Sequence, residues 1–210
     1  MSIEESLETT KIHSVAGKIK LTNGLITRSP SRKPHHTISD VALVGGGGYP
    51  QPGEISLAHN GILFLDELPE YKRSVLEVMR QPMEDRFVTI SRAKFTIDFP
   101  ATFMLVAAMN PCPCGFYNHP EKECVCAPGV VQRYLNKISG PLLDRIDLHV
   151  EVTPVNFDDL TKEIQEENSK TIQKRVEVTR SIQLNRFSRY SGIHCNAQMS
   201  GNELREYCKI

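Results

Sequence analysis

An α/β chain built on a parallel sheet flanked by helices, with a β-hairpin set into it, is the fold class this sequence predicts. Three observations carry the prediction. Gly61-Ile62-Leu63-Phe64-Leu65 and Phe103-Met104-Leu105-Val106-Ala107-Ala108-Met109 are apolar runs without alternation, which suit strands covered on both faces. Residues 86–99 switch to a period of two: Val88 and Ile90 alternate with Thr89 and Ser91, then Phe95, Ile97 and Phe99 with Thr96 and Asp98, and Arg92-Ala93-Lys94 forms a basic tip. Between the two runs, Val75, Leu76 and Met79 fall on one helical face.

Taken in order, Ser2-Ile3-Glu4-Glu5 has the form of a capping box and predicts a helix from residue 3 to near Gly17. Residues 22–39 read as a basic irregular segment around one short extended piece, with Arg28, Arg32, Lys33, His35 and His36 among Ser, Thr and Pro. If that piece is extended, His35 and His36 point to opposite faces, which favours a surface or nucleotide-proximal role over metal ligation. Gly45 to Gly53 reads as a flexible loop. It is no phosphate cradle, because Gly-x-x-x-x-Gly-Lys-Ser/Thr occurs nowhere in the 210 residues. Pro82 is expected to stop the helix that carries Met79.

Past Asn110, Val131, Tyr134, Leu135 and Ile138 recur at helical spacing up to Ser139-Gly140-Pro141, and Ile146, Leu148, Val150 and Val152 alternate as a third strand would. From Phe157 to about Phe187 the chain is charged, and Leu160, Ile164, Ile172 and Val176 offer apolar positions for one or two helices packed outside the sheet. Ser200-Gly201-Asn202-Glu203 repeats the capping-box form. The expected division is an α/β core over 1–153, with its hairpin at 86–99 and a Cys-rich loop at 111–127, followed by a helical segment over 154–210.

Composition narrows the function. With 25 Lys and Arg against 25 Asp and Glu, zero net charge gives no global signal for nucleic acid or membrane, so any basic contact is local. No apolar run approaches the roughly 18 residues of a membrane span, and residues 1–20 hold no signal-peptide core, so a cytoplasmic location is expected. Four of six cysteines crowd into residues 112–126 as two Cys-x-Cys pairs. In a cytosolic chain Cys112, Cys114, Cys124 and Cys126 point either to a tetrahedral zinc site or to reduced thiols.

The chemistry gathers at strand ends. Ligands of parallel sheets collect at the carboxyl ends of the strands, and the first apolar run ends in Asp66 and Glu67. The first acid can hold magnesium through its water shell, and the second faces the other way and can polarise a water against a terminal phosphate, a Walker B pattern. The second run delivers Asn110, whose amide either orients the attacking water or only forms an Asn-Pro turn. Arg145 either pairs with Asp144 or reaches a neighbouring subunit's nucleotide.

Pro34-His35-His36-Thr37-Ile38-Ser39, Gly53-Glu54-Ile55-Ser56-Leu57-Ala58-His59, the Walker B stretch, Val88-Thr89-Ile90-Ser91-Arg92-Ala93, Asn110 and Ser139-Gly140-Pro141-Leu142-Leu143-Asp144-Arg145-Ile146-Asp147 together give a resemblance over nearly the whole chain. The sequence resembles the magnesium-chelatase-like AAA+ ATPases, most closely their YifB/ComM group. The resemblance implies an AAA+ P-loop NTPase-type sheet, ATP and magnesium as cofactors, and a hexameric ring. It makes Asp66 and Glu67 the Walker B pair, Asn110 sensor 1, and Arg145 the arginine finger that completes the adjacent protomer's site.

By the same resemblance, a Walker A element is expected before residue 1 and the rest of a helical lid after Ile210. These 210 residues alone are therefore expected to be inactive as an ATPase and to associate through exposed sheet edges. The ComM branch is associated with DNA branch migration during natural transformation, and the implied function is ATP-driven DNA remodelling, with Arg86, Arg92 and Lys94 available to DNA. The alternatives are a chelatase-type chaperone for metal insertion into a tetrapyrrole, or a nucleotide-independent zinc and interaction module.

Overall fold

The structure, a computed structural model, describes residues 1–19, 24–92, 95–152, 167–190 and 192–208. Lys94 at the hairpin tip and Phe157, Leu160 and Ile164 in the charged stretch lie outside the described residues. The chain divides into two units, Met1–Pro154 and Val155–Ile210.

Helix α1 (Ile3–Val15) opens on the predicted box: Ser2 Oγ accepts the Glu5 amide at 3.1 Å, and the Glu5 carboxylate accepts the Ser2 amide at 2.6 Å. The sheet at the centre of the first unit has three parallel strands, β1 (Ser31–Arg32), β4 (Gly61–Leu65) and β7 (Phe103–Ala107), in the order β1-β4-β7. Its register sets Ser31 opposite Ile62 and runs from Gly61 opposite Phe103 to Leu65 opposite Ala107. Leu63 and Leu65 are fully buried against Val75, Leu76 and Met79, each such side chain contributing about 1.5–3 kcal/mol. The opposite face is more open than expected: Ile62 and Phe64 are half-buried, and their register partners Met104 and Val106 are exposed.

Between β1 and β4 the chain forms α2 (Asp40–Val44), β2 (Gly45–Gly46), β3 (Gln51–Pro52) and α3 (Glu54–Leu57). The glycine-rich stretch is thus not an unstructured loop but a small antiparallel hairpin, β2 on β3. Glycine is required where its base crosses itself. A Cβ on Gly45 (φ +117) would lie 2.4 Å from the Gln51 carbonyl oxygen, and one on Gly53 would lie 2.4 Å from that of Leu43.

After β4 come α4 (Arg73–Glu77) and α5 (Arg80–Asp85). Pro82 does not end the helix carrying Met79; it sits in the first turn of α5, where its missing N–H removes no helical bond. β5 (Phe87–Arg92) pairs antiparallel with β6 (Phe95–Pro100), which is the predicted hairpin. Val88, Ile90 and Phe99 turn into the core. α6 (Val130–Leu135) and α7 (Gly140–Leu143) follow the cysteine loop.

The alternation over 146–152 does not become a strand. Leu148, Val150 and Val152 are 83%, 81% and 86% exposed and pair with no strand among the described residues. A period-two pattern becomes a strand only where an edge accepts its backbone bonds.

In the second unit, α8 (Ser169–Arg186) is capped by Asn168, whose side chain accepts the Thr171 amide. Ile172 and Val176, read as packing positions, are exposed. Phe187 is buried instead, its ring edge-on to Tyr190 and Tyr207 at 6.3 and 5.6 Å. Ser200 caps α9 (Gly201–Tyr207) with the predicted box.

A buried polar seam ties α1 to the turn before β4. The His13 Nε2–H donates to the Leu57 carbonyl at 3.0 Å, the His59 Nδ1 accepts the Thr102 amide at 3.1 Å, and the His59 Nε2–H donates to Glu8 at 3.2 Å. Burial holds both imidazoles below the usual histidine range; for His59 this outweighs Glu8, which pulls the other way. The unfolded chain therefore binds more protons than the folded one just below pH 6.5, and stability falls as the pH drops through that value. Thermal melting of the chain at pH 7.5 and 5.5 is expected to show a loss of at least a few degrees at the lower pH. His59→Gln is expected to flatten this slope, and an unchanged slope in that variant would remove His59 from the account.

Candidate functional site

The carboxyl end of β4 is the point where sequence-predicted residues meet. Asp66 follows the last paired residue, and Glu67 then takes the left-handed conformation (φ 54, ψ 48), which costs a non-glycine residue of order 1 kcal/mol. Neighbouring bonds hold it there. Asp66 Oδ1 accepts the Glu67 amide at 3.1 Å, the Glu67 carbonyl accepts the Glu70 amide at 2.7 Å, and the Leu68 amide donates to Ala108 at 3.0 Å. The Ala108 amide in turn donates to Leu65 at 2.9 Å, so the ends of β4 and β7 lie side by side. Asn110 stands exposed two residues beyond that clasp.

Lys33, absent from the predicted site, and His36, read as a surface or nucleotide-proximal residue, complete it. Lys33 Nζ reaches Asp66 Oδ2 at 3.0 Å, and His36 Nδ1 lies 3.0 Å from Glu67 Oε2. The Lys33 ammonium holds the Asp66 carboxyl below the usual carboxylate range, and it also sits 4.9 Å over the Phe64 ring. His36 is fixed in turn by the His35 ring at 4.1 Å and by the edge of Tyr71 at 6.3 Å. Tyr71 donates its buried hydroxyl to the Pro34 carbonyl at 2.6 Å; burial, and after it the negative charges of Asp66 and Glu67, push its pKa up to about 12. Lys33 and His35 also line a cleft of about 440 Å³ with Ser31, Arg32, Thr37 and Glu54, where the Arg32 guanidinium forks onto the Glu54 carboxylate at 2.6 and 2.7 Å.

Arg145 is engaged away from the acids. Its guanidinium pairs with Glu84 on α5 and donates to the Pro141 carbonyl, so of the two roles expected for it, pairing with Asp144 is not the one seen. Arg92 on the β5–β6 hairpin donates from Nε to the Gly47 carbonyl at 3.3 Å, which clasps that hairpin to the glycine-rich one, and Tyr49 at the tip of the latter is 80% exposed. The sulfurs of Cys112, Cys114, Cys124 and Cys126 lie within 4.8 Å of one another.

Residues 1–160 match the family profile of magnesium chelatase, subunit ChlI, and residues 166–210 that of the ChlI C-terminal region. The chain belongs to the magnesium chelatase ChlI family. It is 43% identical over 211 positions, all of this chain and 40% of the relative, to the uncharacterized protein YifB of Escherichia coli. Over 208 positions, 98% of this chain and 39% of the relative, it is 43% identical to the competence protein ComM of Haemophilus influenzae. The chloroplastic magnesium-chelatase subunit ChlI of Oryza sativa is 25% identical over 80% of this chain and 35% of its own length. The chain thus spans about 40% of the length of the curated relatives it matches most fully. Among solved structures, NtrX from Brucella abortus in complex with ADP aligns over 57% of this chain and 24% of its own, at 17% identity and a TM-score of 0.40.

In this ChlI-family chain the acid pair is a hard-oxygen donor set, half-exposed and already facing a cation, Lys33. That chemistry suits magnesium held through water better than a soft metal. No helix among the described residues is long and apolar enough to cross a membrane.

Proposed function

We propose that this chain is part of the motor core of an AAA+ ATPase that assembles as a ring in the cytoplasm and remodels DNA. One observation carries the reading: β4 and β7 end side by side, presenting Asp66 and Glu67 next to the segment that bears Asn110. Asp66 would hold magnesium, which supplies charge neutralisation to the phosphates when bound; Glu67 polarises the attacking water, and Asn110 orients it. Arg145 serves the site of the neighbouring protomer. The segment from 154 to 210 begins the lid. ATP with magnesium, and zinc in the cysteine loop, are the cofactors of this reading.

DNA is favoured over a tetrapyrrole enzyme by the clasped hairpins. They place Tyr49, an exposed aromatic, on the loop that Arg92 grips; a ring that tracks nucleic acid needs stacking surface and positive charge together. Arg86, just before β5, and Lys94 belong to the same proposal. The similarity to ComM, which is named a competence protein, supports it at 43% identity against 25% for rice ChlI. The test is fluorescence anisotropy of the full-length protein with labelled single-stranded and branched DNA across a salt titration. Binding that weakens with salt, and at least tenfold on Arg92→Ala with Tyr49→Ala, is expected. Salt-independent binding, or none, would favour the chelatase-type reading.

A further inference from the structure

The four thiols after β7 are spaced as a ligand cage. The sulfur of Cys112 lies 3.3 Å from that of Cys114 and 3.7 Å from that of Cys124, and Cys114 and Cys124 are 3.6 Å apart. A disulfide requires about 2.05 Å. Four thiolates around zinc, at about 2.3 Å each, form a tetrahedron with edges of about 3.8 Å, close to what is seen.

His119, the other metal-ligating type in the loop, spends Nδ1 on the amides of Glu121 and Lys122. Four sulfurs leave no open position, so a metal here is structural.

Position gives the cage its consequence. Cys112 is fully buried and lies four residues beyond Ala108, whose amide and carbonyl bond to Leu65 and Leu68. Only Met109, Asn110 and Pro111 span the interval between those fixed points. On the far side, Cys126 leads within a few residues to α6, where Tyr134 is buried, and just past it Lys137 pairs with Glu70 at 3.5 Å. Both ends of the cage are therefore tied to the acid-bearing end of the sheet, while the loop itself carries no helix or strand from residue 108 to 129.

We propose that Cys112, Cys114, Cys124 and Cys126 bind one zinc ion, and that this ion positions Asn110 beside Asp66 and Glu67. The second half rests on the nucleotide-facing reading of Asn110 given above. Asn110 is then held from both sides, by the β4–β7 clasp and by a metal whose binding energy is folding energy for the loop.

Elemental analysis of the purified 210-residue chain is expected to find one zinc per chain. Cobalt exchange is expected to give the intense thiolate-to-cobalt absorption of a tetrahedral site. Cys195→Ser with Cys208→Ser is expected to leave both unchanged, Cys124→Ser to lose the metal, and Cys124→His to regain it. Amide hydrogen exchange at Met109, Asn110 and Cys112 is expected to quicken at least tenfold when a chelator removes the metal.

In the full-length protein, Cys124→Ser is expected to lower kcat for ATP with KM little changed, and Cys124→His to restore it. Metal-free protein that takes up no zinc overturns the site, and stoichiometric iron overturns its assignment to zinc. Bound zinc with unchanged exchange on its removal overturns the positioning of Asn110. Full hydrolysis by Asn110→Ala would instead overturn the role of Asn110 in the proposed function and leave the zinc site standing. If Cys124→Ser fails to fold, the wild-type stoichiometry and exchange decide.

Discussion

Replacing Glu67 by Gln in the full-length protein is expected to slow ATP hydrolysis by about 10²–10⁴-fold and to leave ATP binding in place. The carboxylate projects from a left-handed residue held by the bonds of its amide to Asp66 Oδ1 and of its carbonyl to the Glu70 amide, and glutamine keeps that geometry and its approach to His36 while losing the capacity to take a proton from water. Asp66, which the reading assigns to magnesium, is untouched, so nucleotide affinity survives. Asp66→Asn is expected to behave differently: it removes the charge that Lys33 now compensates, and ATP·Mg affinity falls with the rate. Single-turnover hydrolysis and equilibrium binding on the two variants check this. A wild-type rate for Glu67→Gln would sink the assignment of the acid pair.

The acid pair was legible because it rests on local rules. Non-alternating apolar residues specify a strand, and the carboxyl end of a parallel strand is where ligands gather, so Asp66 and Glu67 could be placed without a partner strand. The clasp with β7 was legible for the same reason. Lys33 was not, nor was the particular partner of His36, because β1 is only two residues long and its pairing with β4 is a long-range fact that periodicity does not record. Had Ser31–Arg32 been read as the neighbour of β4, the residues just past it would have been expected at the same end. The segment 146–152 failed in the opposite sense: its alternation is a local signal, but a strand also needs an edge, and sequence pattern cannot see whether one is available. The glycine-rich stretch misled because glycine reports permitted conformations, not flexibility. Its base is tight enough to exclude a Cβ at Gly45 and Gly53.

For Arg145→Ala in the full-length protein, a loss of about 10³–10⁵ in hydrolysis is expected if its guanidinium stabilises charge in a neighbour's site. Here Arg145 rests between Glu84 and the Pro141 carbonyl, with its Nε buried and unpartnered. Glu84 is 51% and Arg145 26% exposed, so the pair is only partly screened, and thermal melting of Arg145→Ala measured beside its rate separates a loss of that size from instability. Mixing Arg145→Ala with Glu67→Gln subunits distinguishes the roles. At an interface where the first supplies Glu67 and the second supplies Arg145, one complete site forms, and part of the activity returns although neither variant hydrolyses ATP alone. Activity of the mixture measured against subunit ratio should pass through a maximum near equal amounts. A flat, inactive profile would place Arg145 within its own subunit, as the partner of Glu84 alone.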